Sequence, residues 1–303
     1  MSLEGLIAAP FTPMHPDGTI NYDPIAAIAD RYQRNHLAGV FIGGTTGEGF
    51  SLTEQERLEL IHQWGKTVSE PFKLLVHVGH NCLETAKVLA RQAQRHNAWG
   101  IGAIGPIFFK PTRIEDLVRY CREVAAAAPE IGFYYYHYPA LTGLNFRMID
   151  FLQAAAGAIP NLKGLKFTHD DLADLAQCVV FEGGRYDILM GRDEHFLDAL
   201  KLGVRAAIGG TYNFAAPLYL ELIEAFQQNN VKKAQSLQNK AVEMIGIIRR
   251  SGDDFLGAAK AIMKIIGIDC GPVRLPLRAL LEEKHKILEE NLFKIGFQTF
   301  CLT

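Results

Sequence analysis

The chain has 303 residues, of which 49% are hydrophobic and 21% charged, and its formal net charge is −2. That composition excludes a disordered chain, and the balanced charge lacks the basic excess of a nucleic-acid binder. No apolar run is long enough to span a bilayer and no basic-then-apolar leader is seen, so a membrane partner is not expected.

The elements follow in chain order. An apolar run at 6–9 precedes a helical pattern at 24–36. A second run, 39–42, precedes a helical pattern at 53–69, where Thr53 and Glu56 have the spacing of a capping box. The pattern repeats as strand 74–78 and helix 82–96, then strand 100–104 and helix 114–128. Strand 132–136 is followed by strand 164–167 with no helix assigned between them. Helix 172–181, strand 187–190, helix 194–202, strand 206–208 and helix 217–228 complete the series. The strand runs are apolar on nearly every residue, as expected for parallel strands buried on both faces. Eight of them alternating with helices predict a (β/α)₈ barrel. An open doubly wound sheet fits less well, because no Gly-x-Gly-x-x-Gly follows the first strand. Three more helical patterns, 231–250, 255–266 and 276–290, predict a C-terminal extension. The expected division is a barrel catalytic domain over 1–230 and a helical extension over 231–303.

The five cysteines, Cys82, Cys121, Cys178, Cys270 and Cys301, are odd in number, widely spaced and without a Cys-x-x-Cys. They read as reduced thiols of a cytoplasmic protein rather than a disulfide framework or a zinc knuckle.

Active sites of such barrels lie at the carboxyl ends of the strands. The second strand ends in Gly43-Gly44-Thr45-Thr46-Gly47-Glu48. Glycines and hydroxyls there suit a carboxylate or phosphate, and equally suit an ordinary turn capping the next helix. The fifth ends in Phe133-Tyr134-Tyr135-Tyr136-His137-Tyr138-Pro139, where alternation lets only some phenols face the barrel interior. A buried phenol could relay a proton, although aromatic packing explains these rings as well. The sixth is Gly164-Leu165-Lys166-Phe167-Thr168. A buried amine loses its charge readily, and a neutral amine attacks a ketone. Lys166 reads equally as a nucleophile and as a strand-end lysine snorkelling to water, although its apolar neighbours fit the second reading less well than those of Lys163 do. The seventh ends in Gly191-Arg192-Asp193-Glu194, acids that could bind sugar hydroxyls or cap a helix. Arg192 reads first as a solvated side chain and second as a ligand contact. The eighth ends in Gly209-Gly210-Thr211-Tyr212-Asn213, a tight turn that a ligand could approach closely. His77 and His80 are too close together to define a metal site, and there is no His-Glu-x-x-His, so a metal-dependent mechanism is the weaker reading.

Taken together, Gly44–Glu48, Tyr136–Gly143, Gly164-Leu165-Lys166 and Gly191–Glu194 resemble the N-acetylneuraminate lyase and dihydrodipicolinate synthase family. The resemblance continues through Lys260-Ala261-Ile262-Met263 and Gly271–Leu277 and runs from about residue 3 to the end. Two stretches resemble the lyase branch, in its animal type, more than the synthase branch. Pro139–Gly143 lacks the arginine with which synthases hold their second substrate. Pro106-Ile107-Phe108-Phe109 has phenyl rings where synthases place a proton-relaying tyrosine.

The resemblance implies that Lys166 forms an imine with the ketoacid and that Tyr136 shuttles the proton beside the breaking bond. It implies that Thr45 and Thr46 hold the pyruvate carboxylate, and that Thr168, Gly191, Asp193, Glu194 and the residue at 210 face the sugar. The implied reaction is reversible cleavage of N-acetylneuraminate to N-acetylmannosamine and pyruvate, by a homotetramer needing no metal or organic cofactor. One departure stands out. Lyases of the family carry a serine where this chain has Gly210, and losing one hydrogen bond to a substrate hydroxyl costs about 1 kcal/mol. Another pyruvate-dependent aldolase or dehydratase acting on a different 2-keto-3-deoxy sugar acid is the alternative. Dihydrodipicolinate synthase chemistry and a non-catalytic barrel that binds a small acid rank below it.

Overall fold

A computed structural model of the chain describes residues 2–302. Eight parallel strands close into a barrel in sequence order. The first half runs β1 (Gly5–Ala8), α1 (Ile25–Arg34), β2 (Gly39–Ile42), α2 (Glu54–Thr67), β3 (Lys73–His77), α3 (Leu83–Arg95), β4 (Gly100–Ala103) and α4 (Ile114–Ala126). The second half runs β5 (Gly132–His137), α5 (Pro139–Thr142), α6 (Met148–Ala155), β6 (Leu162–Phe167), α7 (Leu172–Val180), β7 (Asp187–Met190), α8 (Phe196–Lys201), β8 (Ala206–Gly209) and α9 (Tyr212–Gln227). Three helices follow: α10 (Val231–Ser251), α11 (Phe255–Ile265) and α12 (Glu282–Lys294). Among the described residues no helix is long and apolar enough to cross a membrane.

Strand alternation sorts the side chains into two cores. Ile7, Phe41, Leu75, Tyr134, Tyr136, Leu189 and Ile208 fill the barrel interior. Their neighbours, such as Leu6, Val40, Val76, Phe133, Leu165 and Met190, pack outward against the helices. Each fully buried large apolar side chain contributes on the order of 1.5–3 kcal/mol. Strand β6 lies so close to β7 that a Cβ on Gly164 would sit 1.8 Å from the Asp187 carbonyl. The expected capping box is present: the Thr53 hydroxyl accepts from the Glu56 amide and the Glu56 carboxylate accepts from the Thr53 amide.

Four local features depart from the sequence reading. The connection between β5 and β6 holds α5 and α6, which were not anticipated. The α6 amides of Met148 and Ile149 are capped by the Asp174 carboxylate of α7, 26 and 25 residues away, so no local cap marks the start. Helix α8 begins at Phe196 rather than 194, after a single 3₁₀ turn over Asp193–His195. Helix α9 begins at Tyr212, five residues before Pro217, and kinks at Ala215. That early turn lets the Asn213 amide donate to the carbonyls of Ala9 and Gly210, tying β1 to β8. Residues 276–281 are not helical, and α12 starts at Glu282. This stretch instead crosses α11 at a glycine: a Cβ on Gly257 would lie 2.1 Å from the Arg278 carbonyl.

The C-terminal helices share the outer core with the barrel. Met244, Ile248, Ile262, Met263, Leu288 and Leu292 belong to the same buried cluster as Leu6 and Phe133.

Candidate active site

Lys166 and Tyr136 are register partners across the β5–β6 pair. Even spacing along β5 turns Tyr134 and Tyr136 inward and Tyr135 outward, where it stacks on Phe151. The Lys166 Nζ lies 4.1 Å from the centre of the Tyr136 ring and 4.7 Å from that of Phe41. It does not snorkel: the side chain is buried, and burial lowers its pKa to about 7, with the Asp193 carboxylate pulling the other way. Near neutral pH much of this amine is therefore uncharged and nucleophilic. The Tyr136 hydroxyl is 3.2 Å from Thr45 Oγ1. Burial raises its pKa above the ordinary tyrosine range, against the pull of the Thr45 and Thr168 hydroxyls. It is thus a protonated phenol at rest.

The loop after β2 curls over this pair. Glu48 and Gly49 donate their amides back to the carbonyls of Thr45 and Gly44. The amides of Thr45 and Thr46 have no backbone acceptor among the described residues. The turn needs Glu48 in the left-handed region, at φ 55°, a conformation uncommon for a side chain of this kind. Buried partners hold it there. Its carboxylate meets Lys260 Nζ of α11 at 2.8 Å and accepts from the Arg274 amide at 2.7 Å. Lys260 also donates to the carbonyls of Thr12 and Pro272.

All nine residues singled out from sequence line one cavity of about 330 Å³: Thr45, Thr46, Tyr136, Lys166, Thr168, Gly191, Asp193, Glu194 and Gly210. Gly191 is required there, since a Cβ would fall 1.9 Å from Thr168 Oγ1. The Glu194 carboxylate reaches Arg249 of α10 at 2.5 Å and Arg192 at 3.7 Å. Arg192 is not a solvated side chain. It lines the cavity and pairs with Asp170 at 3.1 Å.

Tyr138, Thr211, Ile245, Arg249 and Phe255 also line the cavity and were missed. Tyr138 follows from the parity that picks out Tyr136. Thr211 stands in the turn after β8 that a ligand was expected to approach, whereas nothing in the sequence marks Ile245, Arg249 and Phe255, because α10 and α11 reach the barrel mouth only through tertiary docking. His77 was also underrated. It is buried, packs edge-on against Phe41 and Tyr136, and is kept neutral by burial and by Arg57. His77 Nδ1 is 3.1 Å from the Gly43 carbonyl, which places it beneath the Thr45 loop.

The sequence profile of the Dihydrodipicolinate synthetase family matches residues 2–295. The chain belongs to this family. Among its relatives, the N-acetylneuraminate lyase of Rattus norvegicus is 38% identical over 304 residues, covering 98% of this chain and 94% of the relative. That of Danio rerio is 39% identical over 295 residues, covering 96% and 95%. The solved structure of Proteus mirabilis N-acetylneuraminate lyase superposes with a TM-score of 0.94 at 40% identity, covering 98% of this chain and 100% of that one. A Ruminococcus gnavus sialic acid aldolase, described as a catalytic lysine mutant, superposes with a TM-score of 0.92 at 27% identity, covering 98% and 97%. Residues 139–142 form α5 at the cavity edge with Leu141 on its wall, and Phe108 and Phe109 are exposed after β4.

Proposed function

We propose that the protein cleaves N-acetylneuraminate reversibly to N-acetylmannosamine and pyruvate through an imine on Lys166. The observation that carries this reading is a buried amine with a pKa of about 7, in register with a protonated phenol in one cavity. The relatives' names support the choice of substrate.

Thr45 and Thr46 hold the ketoacid carboxylate through hydroxyls and unengaged amides. The neutral Lys166 Nζ attacks C2 of the open-chain substrate. The C2 oxygen takes one proton from Nζ and one from Tyr136 and leaves as water, so an iminium forms on Nζ beside a phenolate. The phenolate then removes the proton of the C4 hydroxyl as the C3–C4 bond breaks, and the electron pair passes to the nitrogen as an enamine. Tyr136 next protonates C3, and water returns to C2 to release pyruvate and the free amine. The imine itself is the electron sink, so no metal or organic cofactor takes part. Thr168, Gly191 and Glu194 face the sugar end. The protein works in the cytoplasm as a homotetramer on small-molecule substrates, without nucleic-acid or membrane partners. Five unpaired thiols support the compartment, and the exposed Phe108 and Phe109 support association.

Borohydride with pyruvate should attach one three-carbon adduct to Lys166, read by peptide mass spectrometry, and Lys166→Ala should lose both the adduct and turnover. Near-normal activity in Lys166→Ala would sink the mechanism. A second substrate reading rests on Gly210, where a Cβ would lie 3.0 Å from Thr46 Oγ1 and crowd the carboxylate end. Gly210 therefore offers no hydroxyl on this wall of the cavity where a serine would carry one. Pyruvate release from a panel of 2-keto-3-deoxy sugar acids decides between the two, and no turnover of millimolar N-acetylneuraminate would favour the alternative.

A further inference from the structure

The turn that brings Asp193 and Glu194 to the cavity is held from behind by a helix that follows all eight strands. It is a single 3₁₀ turn, Asp193–His195, between β7 and α8. Neither Arg192 before it nor His195 at the start of α8 supplies a side-chain cap. Leu197 stands in the first turn of α8, where amides have no partner within the helix. The carboxamide of Gln238 on α10 supplies what is missing. Its Oε1 accepts from the Leu197 amide at 2.8 Å, and its Nε2 donates to the carbonyls of Asp193 and Glu194, each at 3.0 Å. The side chain is buried, with 5% exposed. Turning the carboxamide over would set an oxygen against two carbonyls and an N–H against an N–H, so its partners fix its orientation.

We propose that Gln238 is a positioning residue for the sugar half of the reaction, fixing from α10 the turn that presents Asp193 and Glu194. This rests on the sugar-acid reading above. Gln238 is not among the residues that line the cavity, so it acts through the turn and not on the substrate. Its partners lie 41 to 45 residues away in the chain. Residues 238, 245 and 249 share one face of α10, because steps of seven and eleven residues return to within about 20°. Ile245 and Arg249 line the cavity, and Arg249 grips the Glu194 carboxylate. One helix face therefore holds the backbone of the turn through Gln238 and the side chain of Glu194 through Arg249. All three Gln238 hydrogen bonds go to residues 193–197, and none goes to Lys166, Tyr136 or the Thr45 loop.

Condensation of pyruvate with N-acetylmannosamine tests this, because the two substrates occupy opposite ends of the cavity. Gln238→Met nearly keeps the volume and removes all three hydrogen bonds. Its KM for N-acetylmannosamine should rise about tenfold, as a misplaced turn loses its contacts to the sugar. Its KM for pyruvate, and the pyruvate adduct trapped by borohydride, should stay within about twofold of the natural chain's. In a Glu194→Gln background the same substitution should raise KM by less than about threefold, because less is left to position. Gln238→Glu guards against a Met variant that does not fold. It has the same size, keeps the Leu197 bond, turns an oxygen on the two carbonyls and should show the same split. A lower kcat with both KM values unchanged would make Gln238 a residue of the fold alone and overturn the inference. So would an equal rise in both KM values, or full additivity with Glu194→Gln. No condensation by the natural chain would instead overturn the substrate reading itself.

Discussion

At Lys166 a strand position fixes a chemical property. The residue is even-numbered on β6, so it faces a closed barrel interior, and burial there brings its amine to about pKa 7. The neutral fraction is then about half at pH 7 and about a tenth at pH 6. Initial rates of pyruvate release at low substrate should therefore rise about tenfold per pH unit below 7 and level off above it. A profile flat from pH 5.5 to 7 would contradict the assigned nucleophile. Tyr136→Phe keeps the ring against Lys166 but removes the proton. It should slow cleavage by about 10²–10⁴ while borohydride still traps pyruvate on Lys166, as judged by mass spectrometry. Strand burial made Lys166 an even choice, and alternation left the inward phenol open, so Tyr136 was legible only through the family resemblance. His77 and Arg192 were not, because their roles depend on Arg57, Gly43 and Asp170, which sequence alone does not bring near them.

At the next scale, the loop after β2 is held by α11. Glu48 and Lys260 are both almost fully buried and satisfy each other. Removing one partner of a buried pair costs about 3–5 kcal/mol, because the other charge is left unpaired. Lys260→Met should lose about that much stability in urea titration, and the double variant with Glu48→Gln should recover most of it. Equal stability of Lys260→Met and the natural chain would show that the loop does not depend on the pair. The eight strands and most helices were readable from apolar periodicity, within a residue or two at the ends. The exceptions share one cause. Helix α6 borrows its cap from Asp174 of another helix. Residues 276–281 give up helix to cross α11, with the Arg278 amide donating to Asp254. In each case the deciding partner is distant in the chain.

In the whole molecule the barrel and the C-terminal helices are sealed by a continuous outer core. A chain ending at 230 would expose the apolar surface that Met244, Ile248 and Met263 now cover. Such a truncation should fail to show a cooperative thermal transition, whereas the full chain should unfold in one step by calorimetry. A folded, cooperative 1–230 fragment would make the extension a separate domain. The division of labour was only half visible in sequence. The pyruvate end of the site is built from strand ends and could be read, whereas the outer wall comes from α10 and α11 and could not.

That outer wall makes the molecule divisible for an engineer. Lys166, Tyr136 and the Thr45 loop sit on barrel elements, while Ile245, Arg249 and Phe255 arrive on helices that follow all eight strands in the chain. One crossover near residue 230 between two relatives would graft a foreign ceiling onto an unaltered reaction centre. Selection for new sugar preferences can therefore work on the last quarter of the gene.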